Sequence, residues 1–177
     1  PLTEEAIMRF LLISLISFPL WAADNSVDID LKGNSSIYID QIGSGNTAQV
    51  WCGLSNGTYA THNCSSATID IDQNGTNNLA KAYSQYTNHT GNEYTIEQTG
   101  DNNVGYIDAD DNDNESTITQ TGDNMQGEIF MSGNDNVYTI SQTGTGNHYA
   151  KFYAFGDDSA WTATQSGSGN HNAYIKS

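Results

Sequence analysis

The sequence predicts an all-β fold, a β-solenoid of two parallel, in-register sheets built from six strand–turn–strand coils of about 22 residues. The motif Gln-x-Gly-x-x-Asn occurs six times, with Met125 in place of the fourth Asn, and its Gln residues are 32, 25, 22, 22 and 23 positions apart. A period of this length is typical of stacked supersecondary units. Apolar residues before each Gln alternate with polar ones, as in a strand with one buried face. The sequence leaves the handedness of the solenoid open.

The residues four and two positions before each Gln form the predicted core. Most of them are large and apolar, and the residues between them are polar. The core residues are Ile37, Ile39, Ile69, Ile71, Tyr94, Ile96, Ile118, Tyr138, Ile140 and Trp161. Gly stands two residues after each Gln, where a tight turn requires a positive φ. Small residues such as Ala48 and Ala80 in the return strand allow the two sheets to face each other closely.

The Gln and Asn side chains of the motif are expected to form inward-facing ladders. A buried amide is costly unless it is hydrogen-bonded, but amides in register can donate to one coil and accept from another, as in cross-β assemblies. The predicted ladder residues are Gln41, Gln73, Gln98, Gln120, Gln142, Gln165, Asn46, Asn78, Asn103, Asn147 and Asn170. In the last two repeats the apolar phase shifts by one residue, which predicts a bulge at His148 and His171.

Residues 1–23 have the pattern of a secretory signal peptide. Met8-Arg9 is followed by an apolar run from Phe10 to Leu20 and then by small residues. Because the first Met is Met8, the upstream residues are interpreted as a translated overhang. Residues 24–34 alternate Val27, Ile29 and Leu31 with polar residues and are predicted to form an N-terminal half-coil. The six repeats then span 35–66, 67–91, 92–113, 114–135, 136–158 and 159–177.

The charge of the chain argues against several classes of partner. The formal net charge is −16, from 21 acidic and 5 basic residues, which disfavours nucleic acid and anionic membrane surfaces. No further stretch could span a membrane, so no membrane insertion is expected. No catalytic spacing or phosphate-binding loop stands out, and a regular solenoid offers little concave pocket. The protein is therefore predicted not to be an enzyme and to need no cofactor.

Two smaller features have competing interpretations. Cys52 and Cys64 bracket the long first repeat, and export to an oxidising compartment predicts a disulfide, with two free thiols as the alternative. Asp108, Asp110 and Asn112 lie in a segment similar to a calcium-binding loop, which lacks the Gly and Glu that such a loop needs at its sixth and twelfth positions. A solvated turn is the favoured interpretation, and weak calcium binding is the alternative.

The two ends of the predicted stack suggest its function. Each end is expected to present an unpaired strand edge and an open apolar face, and exposed edges template further strands. Because the repeats are alike, the last coil of one molecule matches the first coil of another, and head-to-tail contact without closure gives a filament with cross-β architecture. The end residues are Val27, Ile29, Leu31, Ile37, Ile39, Trp161, Ala173 and Ile175.

The repeats resemble the curlin repeat, in which a Ser or Asn precedes alternating apolar positions and then Gln-x-Gly-x-x-Asn-x-Ala. Residues 35–48 match this pattern well, and Asn92, Asn114, Asn136 and Ser159 hold the Ser/Asn position. The resemblance implies a subunit, similar to the major one, of curli, the extracellular amyloid fibres of bacterial biofilms. It also implies a nucleator subunit and an outer-membrane secretion pore as partners. A second Gln that the family often has eleven residues after the first is missing, and the choice between bulk subunit and nucleator stays open.

A different class of function is also compatible with the sequence. Thr95, Thr117, Thr139 and Thr162 align on the outward side of their predicted strands. A flat threonine surface is expected of a monomeric, secreted β-solenoid that binds ice, glycan or mineral. The two hypotheses differ in one observable property, because a surface binder stays monomeric at high concentration and a fibre subunit polymerises.

Overall fold

The computed structural model describes residues 24–31, 35–52, 64–84 and 89–176. The predicted signal peptide in residues 1–23 lies outside the described residues, as do the side chains of Cys52 and Cys64 and the loop between them. The disulfide therefore stays a prediction. The described residues form strands and turns without a helix, so no helix among them could cross a membrane.

The strands alternate between two sheets along the chain. In order they are β1 (Ser26–Leu31), β2 (Ser35–Ser44), β3 (Thr47–Cys52), β4 (Cys64–Ser65), β5 (Ala67–Thr76), β6 (Leu79–Ser84), β7 (His89–Thr90), β8 (Glu93–Thr99), β9 (Val104–Ala109), β10 (Glu115–Asp123), β11 (Gln126–Ser132), β12 (Val137–Thr145), β13 (Tyr149–Lys151), β14 (Ala154–Phe155), β15 (Ala160–Ser168) and β16 (Asn172–Tyr174).

The two main sheets confirm the predicted solenoid. Sheet A consists of β2, β5, β8, β10, β12 and β15 in spatial order, and sheet B consists of β1, β3, β6, β9, β11, β13 and β16, with β14 also paired to β11. Every pair is parallel, and the equivalent Gln residues are in register, as Gln98, Gln120 and Gln142 show. Each coil is one sheet A strand, a turn and one return strand in sheet B.

The glycine two residues after each Gln is required by backbone conformation and by stacking. Gly100 has a φ of +114°, a conformation that L side chains rarely adopt. A Cβ atom on Gly100 would also overlap the backbone carbonyl of Gly122 in the next coil, with only 2.7 Å to its carbon. The same position in the neighbouring coils has the same close approach, so the coils stack through their turns as well as through their strands.

The core lies between the two sheets and is closely packed. Ile69, Ile71, Tyr94, Ile96, Ile118, Tyr138 and Ile140 are fully buried, Ile39 is 7% exposed, and Ile37 and Trp161 in the two end coils are partly buried against the core. A Cβ on Gly105 of sheet B would lie 2.9 Å from Cγ2 of Ile96 in sheet A. The small residues of the return strands therefore set the short distance between the sheets.

Candidate assembly site formed by the side-chain columns and the end strands

The glutamine column consists of Gln41, Gln73, Gln98, Gln120, Gln142 and Gln165, which are at most 7% exposed. In each pair of successive coils, Nε2 of one Gln donates to Oε1 of the next. The five distances are 2.8 Å from Gln41 to Gln73, 2.9 Å from Gln73 to Gln98, 2.9 Å from Gln98 to Gln120, 2.8 Å from Gln120 to Gln142 and 2.8 Å from Gln142 to Gln165. The donors all point towards the C-terminal end of the stack.

The second N–H of each amide bonds across the core to sheet B. Its acceptor is the carbonyl oxygen of the first residue of the preceding return strand, for example Ser26 for Gln41 at 3.2 Å and Tyr149 for Gln165 at 2.9 Å. The four middle amides make the same bond at 3.0–3.2 Å. A side chain with two donors and one acceptor is needed for this pattern, because one donor joins coils and the other joins sheets.

The glutamine column ends in complementary ways at the two ends of the stack. Gln41 uses both N–H groups of its amide, and among the described residues its Oε1 receives no donor. Gln165 accepts from Gln142 and donates to Tyr149, which leaves one N–H directed towards the open end. The N-terminal end therefore presents an amide acceptor, and the C-terminal end presents an amide donor.

The asparagine column consists of the motif residues Asn46, Asn78 and Asn103, which are buried. Oδ1 of each accepts the backbone N–H of the equivalent residue in the next coil, at 3.0 Å from Asn78, 2.9 Å from Asn103 and 3.0 Å from Met125. Nδ2 of each donates to the turn carbonyl of the next coil at 2.7–3.0 Å. These side chains therefore bond to neighbouring backbone, whereas amide-to-amide bonds had been expected.

Asn147 and Asn170 lie outside the buried column, although the N–H of Asn147 donates to Oδ1 of Asn170 at 3.1 Å. Both are exposed, and the next residues, His148 and His171, take the inward positions with their rings stacked at a centroid distance of 4.6 Å. Met125 has no side-chain oxygen to accept an N–H from the next coil. The N–H of His148 donates instead to Gly146 at 3.0 Å, and the inward phase of the return strand moves by one residue, which buries Ala150 and Phe152.

A second asparagine column, which the sequence analysis did not identify, lies at the opposite turn. Asn92, Asn114 and Asn136 are buried, and their Oδ1 atoms accept backbone N–H groups from Asn114 at 3.0 Å, Asn136 at 3.1 Å and Ser159 at 2.9 Å. The signal was present in the sequence, because these residues all stand six positions before Gln. Both turns of a coil are thus held in register by buried amides.

The outer face of sheet A carries acidic side chains in its first coils and hydroxyl side chains in its last coils. The acidic column, Asp40, Asp72 and Glu97, continues in register as Thr119, Ser141 and Thr164. Partial burial raises the pKa of Asp72, and the charges of Asp40 and Glu97 raise it further. Beside this column, Thr95, Thr117, Thr139 and Thr162 are in register, as the alternative function requires.

The outer face of sheet B has an aromatic column, which the sequence analysis also did not identify. Its ring centroids are 5.5, 4.9, 4.9, 4.9 and 6.0 Å apart in the order Trp51, Tyr83, Tyr106, Phe130, Tyr153 and Tyr174. Nζ of Lys151 lies 4.7 Å from the ring centroid of Tyr153 and 2.6 Å from the carboxylate of Glu128. These contacts add a stabilising seam outside the core.

The candidate calcium residues do not share one solvated turn, because Asp108 lies in β9 and Asn112 lies in the bend that follows it. Asp108 and Asp110 are 4% and 9% exposed, respectively, whereas Asn112 is half-buried. Oγ of Ser84 donates to the Asp110 carboxylate at 3.4 Å, and Nδ2 of Asn112 donates to Asn134 at 3.1 Å. Within the described part of the chain, no cluster of three or more His, Cys, Asp or Glu could hold a metal ion.

The predicted end residues lie on the first and last strands of the two sheets. Within the described residues, no strand pairs with the outer edges of β1 and β2 at one end or of β15 and β16 at the other. Val27, Ile37, Trp161, Ala173 and Ile175 are partly buried against the core, Ile39 is buried, and Ile29 is 44% exposed. The side chain of Leu31 is outside the described part. Both ends thus combine open strand edges with partly covered apolar residues.

Parallel strands held in register by buried amide columns, with open edges at both ends, define a β-solenoid of stackable coils. Residues 90–122, which include β8 and β9, match the family model of the curlin associated repeat. The match confirms, for this part of the chain, the resemblance to the curlin repeat seen in the sequence. No curated protein and no solved structure matches the chain significantly.

Proposed function

We propose that this protein is a structural subunit of a curli-like, extracellular amyloid fibre of a bacterial biofilm matrix. The fibre grows when the C-terminal coil of one subunit stacks on the N-terminal coil of the next. The match to the curlin associated repeat supports this class of function. The partners are further copies of the chain, a nucleator subunit and an outer-membrane secretion pore, and the role is structural rather than enzymatic.

The complementary ends of the glutamine column carry the proposal. Stacking β2 of an incoming subunit on β15 brings the Gln41 acceptor to the Gln165 donor. In the register shared by all sheet A strands, Ile37 follows Trp161 and Ile39 follows Ala163. The junction thus repeats the inward pattern of the coils below it. Such a contact does not close on itself, so it generates a filament.

The open edge of β15 offers a direct test. The N–H of Val137 donates to Ser159 and that of Gly169 to Thr145, so by the alternation of a parallel ladder the N–H of Thr164 points to the open edge. Proline at this position removes an edge donor without removing a bond to β12. The chain from Asp24 onwards carrying Thr164→Pro should remain folded and fail to extend fibres, whereas Thr164→Ala should extend them normally.

The measurement is seeded polymerisation followed by electron microscopy and fibre diffraction. The unmodified chain is expected to form unbranched filaments with a meridional reflection near ~4.8 Å. Normal elongation by Thr164→Pro would contradict the stacking of β2 on β15. A β-rich chain that stays monomeric at high concentration, with or without seeds, would contradict the fibre function itself.

The monomeric surface binder is kept as a second candidate because the threonine column is regular and in register. Thr95, Thr117, Thr139 and Thr162 are aligned on the outer face of sheet A. Replacing Thr117 and Thr139 by Lys should abolish binding to ice, glycan or mineral if this candidate is correct. The same replacement should leave head-to-tail polymerisation intact, because neither residue lies in an end coil.

A further inference from the structure

The two sheets contain unequal numbers of strand levels. Within the described residues sheet A has six, from β2 to β15, and sheet B has seven, from β1 to β16. The extra level is β1, which pairs with β3 in the position that a return strand of a preceding coil would occupy. The described part of the molecule is therefore six coils and one additional return strand.

The additional strand makes the same kinds of contact as a return strand. Oδ1 of Asn25 accepts the N–H of Asn46 at 2.9 Å, as Oδ1 of Asn46 accepts that of Asn78 at 3.0 Å. The carbonyl of Ser26 accepts from Gln41 as Thr47 accepts from Gln73. Val27 is in register with Ala48 and partly buried against the core.

This excess matters when two subunits stack. If β2 of an incoming subunit pairs with β15, two strands compete for the position beside β13 in sheet B. They are β16 of the first subunit and β1 of the incoming one. Retaining both strands would leave a gap one strand wide in sheet A. Such a gap would separate Gln165 from Gln41 and leave two edges of sheet A unpaired. One of the two strands must therefore leave.

The contacts favour the release of β16. β1 pairs with β3 over six residues, Ser26 to Leu31, whereas β16 pairs with β13 over three, Asn172 to Tyr174, and further backbone bonds add only His171 and Ile175. Asn25 donates to the carbonyl of Gly43 at 3.2 Å and accepts from Asn46. At the equivalent position β16 has His171, whose side chain cannot reproduce both of these amide bonds.

Charge and shape also fit β1 to the vacated position. In the shared register Val27 replaces Ala173 and Asp28 replaces Tyr174, which is directly beside Lys151. Among the residues of β13, Lys151 is the cation, and an acidic residue directly opposite it in the ladder is favourable. Ile29, which is 44% exposed in the single molecule, would be covered by the preceding subunit.

We infer that fibre growth proceeds by strand replacement, in which β1 of the incoming subunit displaces β16 of the preceding subunit and pairs with β13. The partner is a second copy of this chain, and the recognition is addition of a parallel strand to a sheet edge. This inference rests on the proposed function. It assigns β16 the role of a removable cover, which protects the growing end of the unassembled molecule.

Hydrogen exchange with mass spectrometry on the chain from Asp24 onwards tests the inference. Peptides containing β1 and β16 are compared in freshly folded monomer and in washed fibres. The N–H groups of Ser26, Asp28 and Asp30, which by the alternation of the ladder point to β3, should be protected in both states. Those of Ala173 and Ile175, which point to β13, should be protected in the monomer and exchange rapidly in the fibre. Exchange of β1 in the fibre, or protection of both strands there, would overturn the inference and leave the proposed fibre function intact.

Two variants add a kinetic test. A chain ending at Asn170 lacks β16 and should polymerise with a severalfold shorter lag than a control chain ending at Ile175. Asp28→Lys places a cation beside Lys151 and should slow elongation severalfold, whereas Asp28→Asn should slow it less. A lag unchanged by the first deletion, or elongation unaffected by Asp28→Lys, would overturn strand replacement. Absence of fibres from every variant and from the unmodified chain would overturn the proposed function, and the inference with it.

Discussion

A pair of identical substitutions at equivalent glycines separates stacking within a molecule from stacking between molecules. Gly100 and Gly167 occupy the same turn position and have φ values of +114° and +106°. A Cβ on Gly100 would overlap the carbonyl of Gly122, whereas a Cβ on Gly167 has no neighbour closer than Cε1 of His171 at 3.9 Å. Ala therefore strains the backbone at both positions, but it overlaps a neighbouring carbonyl only at position 100.

The structure gives the expected magnitudes for the single molecule. Forcing Ala into a left-handed conformation costs roughly 1–2 kcal/mol, and overpacking adds about 1–3 kcal/mol. Gly100→Ala should therefore lower the free energy of unfolding by about 2–5 kcal/mol, and Gly167→Ala by about 1–2 kcal/mol. Urea unfolding of dilute monomer, followed by circular dichroism, measures both values.

The order of the two variants should reverse in the assembly assay. In a head-to-tail stack the new Cβ of Gly167→Ala points at the carbonyl of Gly43 in the next subunit, as that of Gly43 would at Gly75. Gly167→Ala should therefore add to seeds but block further growth from the C-terminal end, although it is the more stable monomer. Normal growth by Gly167→Ala, or equal destabilisation by both substitutions, would refute the reasoning.

Three further substitutions test the columns inside the molecule. Gln120→Leu should cost about 2–6 kcal/mol of unfolding free energy, since it leaves one donor and one acceptor of the glutamine column unpaired, whereas Gln126→Leu at a half-exposed position should cost far less. Asp72→Asn should raise the free energy of unfolding at neutral pH. In the unmodified chain the pKa of Asp72 is raised in the folded protein, so its charge destabilises the fold at neutral pH, and this destabilisation is lost as the pH falls towards the unfolded pKa of about 4. A difference from the unmodified chain that does not shrink on acidification would contradict this. Tyr106→Ala removes two ring contacts at 4.9 Å and should cost about 1–3 kcal/mol in thermal unfolding, against a smaller loss for Tyr174→Ala, which is 61% exposed.

The fold could be predicted from the sequence because several structural requirements recur with the same period. A buried Gln, an alternating strand and a positive-φ glycine recur together, so a change of register would expose Ile118 and unpair Gln120 in the same step. The observed register buries the apolar groups and pairs the amide groups at the same time. The N-terminal strand predicted within residues 24–34 follows from the same alternation, and the structure places its described part, β1 (Ser26–Leu31), in sheet B.

The details that escaped prediction depend on contacts between coils. Asn147 stays outside the core because His148, and not Asn147, is aligned with Met125 of the preceding coil, and this alignment is not local to either repeat. The burial of Asp108 likewise depends on the neighbouring coils, in which Tyr83 and Phe130 are its ladder partners, although its charge indicates solvent exposure. The aromatic column is visible only when the return strands are aligned, because Tyr83 and Tyr106 are diagonal neighbours and not direct ladder partners.

The charge distribution along the stack also bears on how an acidic chain could polymerise. The acidic column occupies only the first coils of sheet A, and the last coil carries Thr164 in the same column. At the proposed junction Asp40 of an incoming subunit therefore meets a hydroxyl group rather than a carboxylate. The repulsion among these carboxylates lies within a subunit and opposes its folding. At the junction, one of the two facing side chains in this column, Thr164, is uncharged.

Extending the acidic column across the junction should make assembly salt-sensitive. Thr164→Glu places a carboxylate about one strand spacing, ~4.8 Å, from Asp40 of the next subunit, and like charges directly opposite in a ladder are destabilising. Elongation from seeds should be severalfold slower at low ionic strength and recover as the Debye length falls to about 3 Å near 1 M salt. Thr164→Gln is the matched control, because it has the same size without the charge. Equal rates for the two variants at low salt would mean that β15 and β2 do not meet in the fibre.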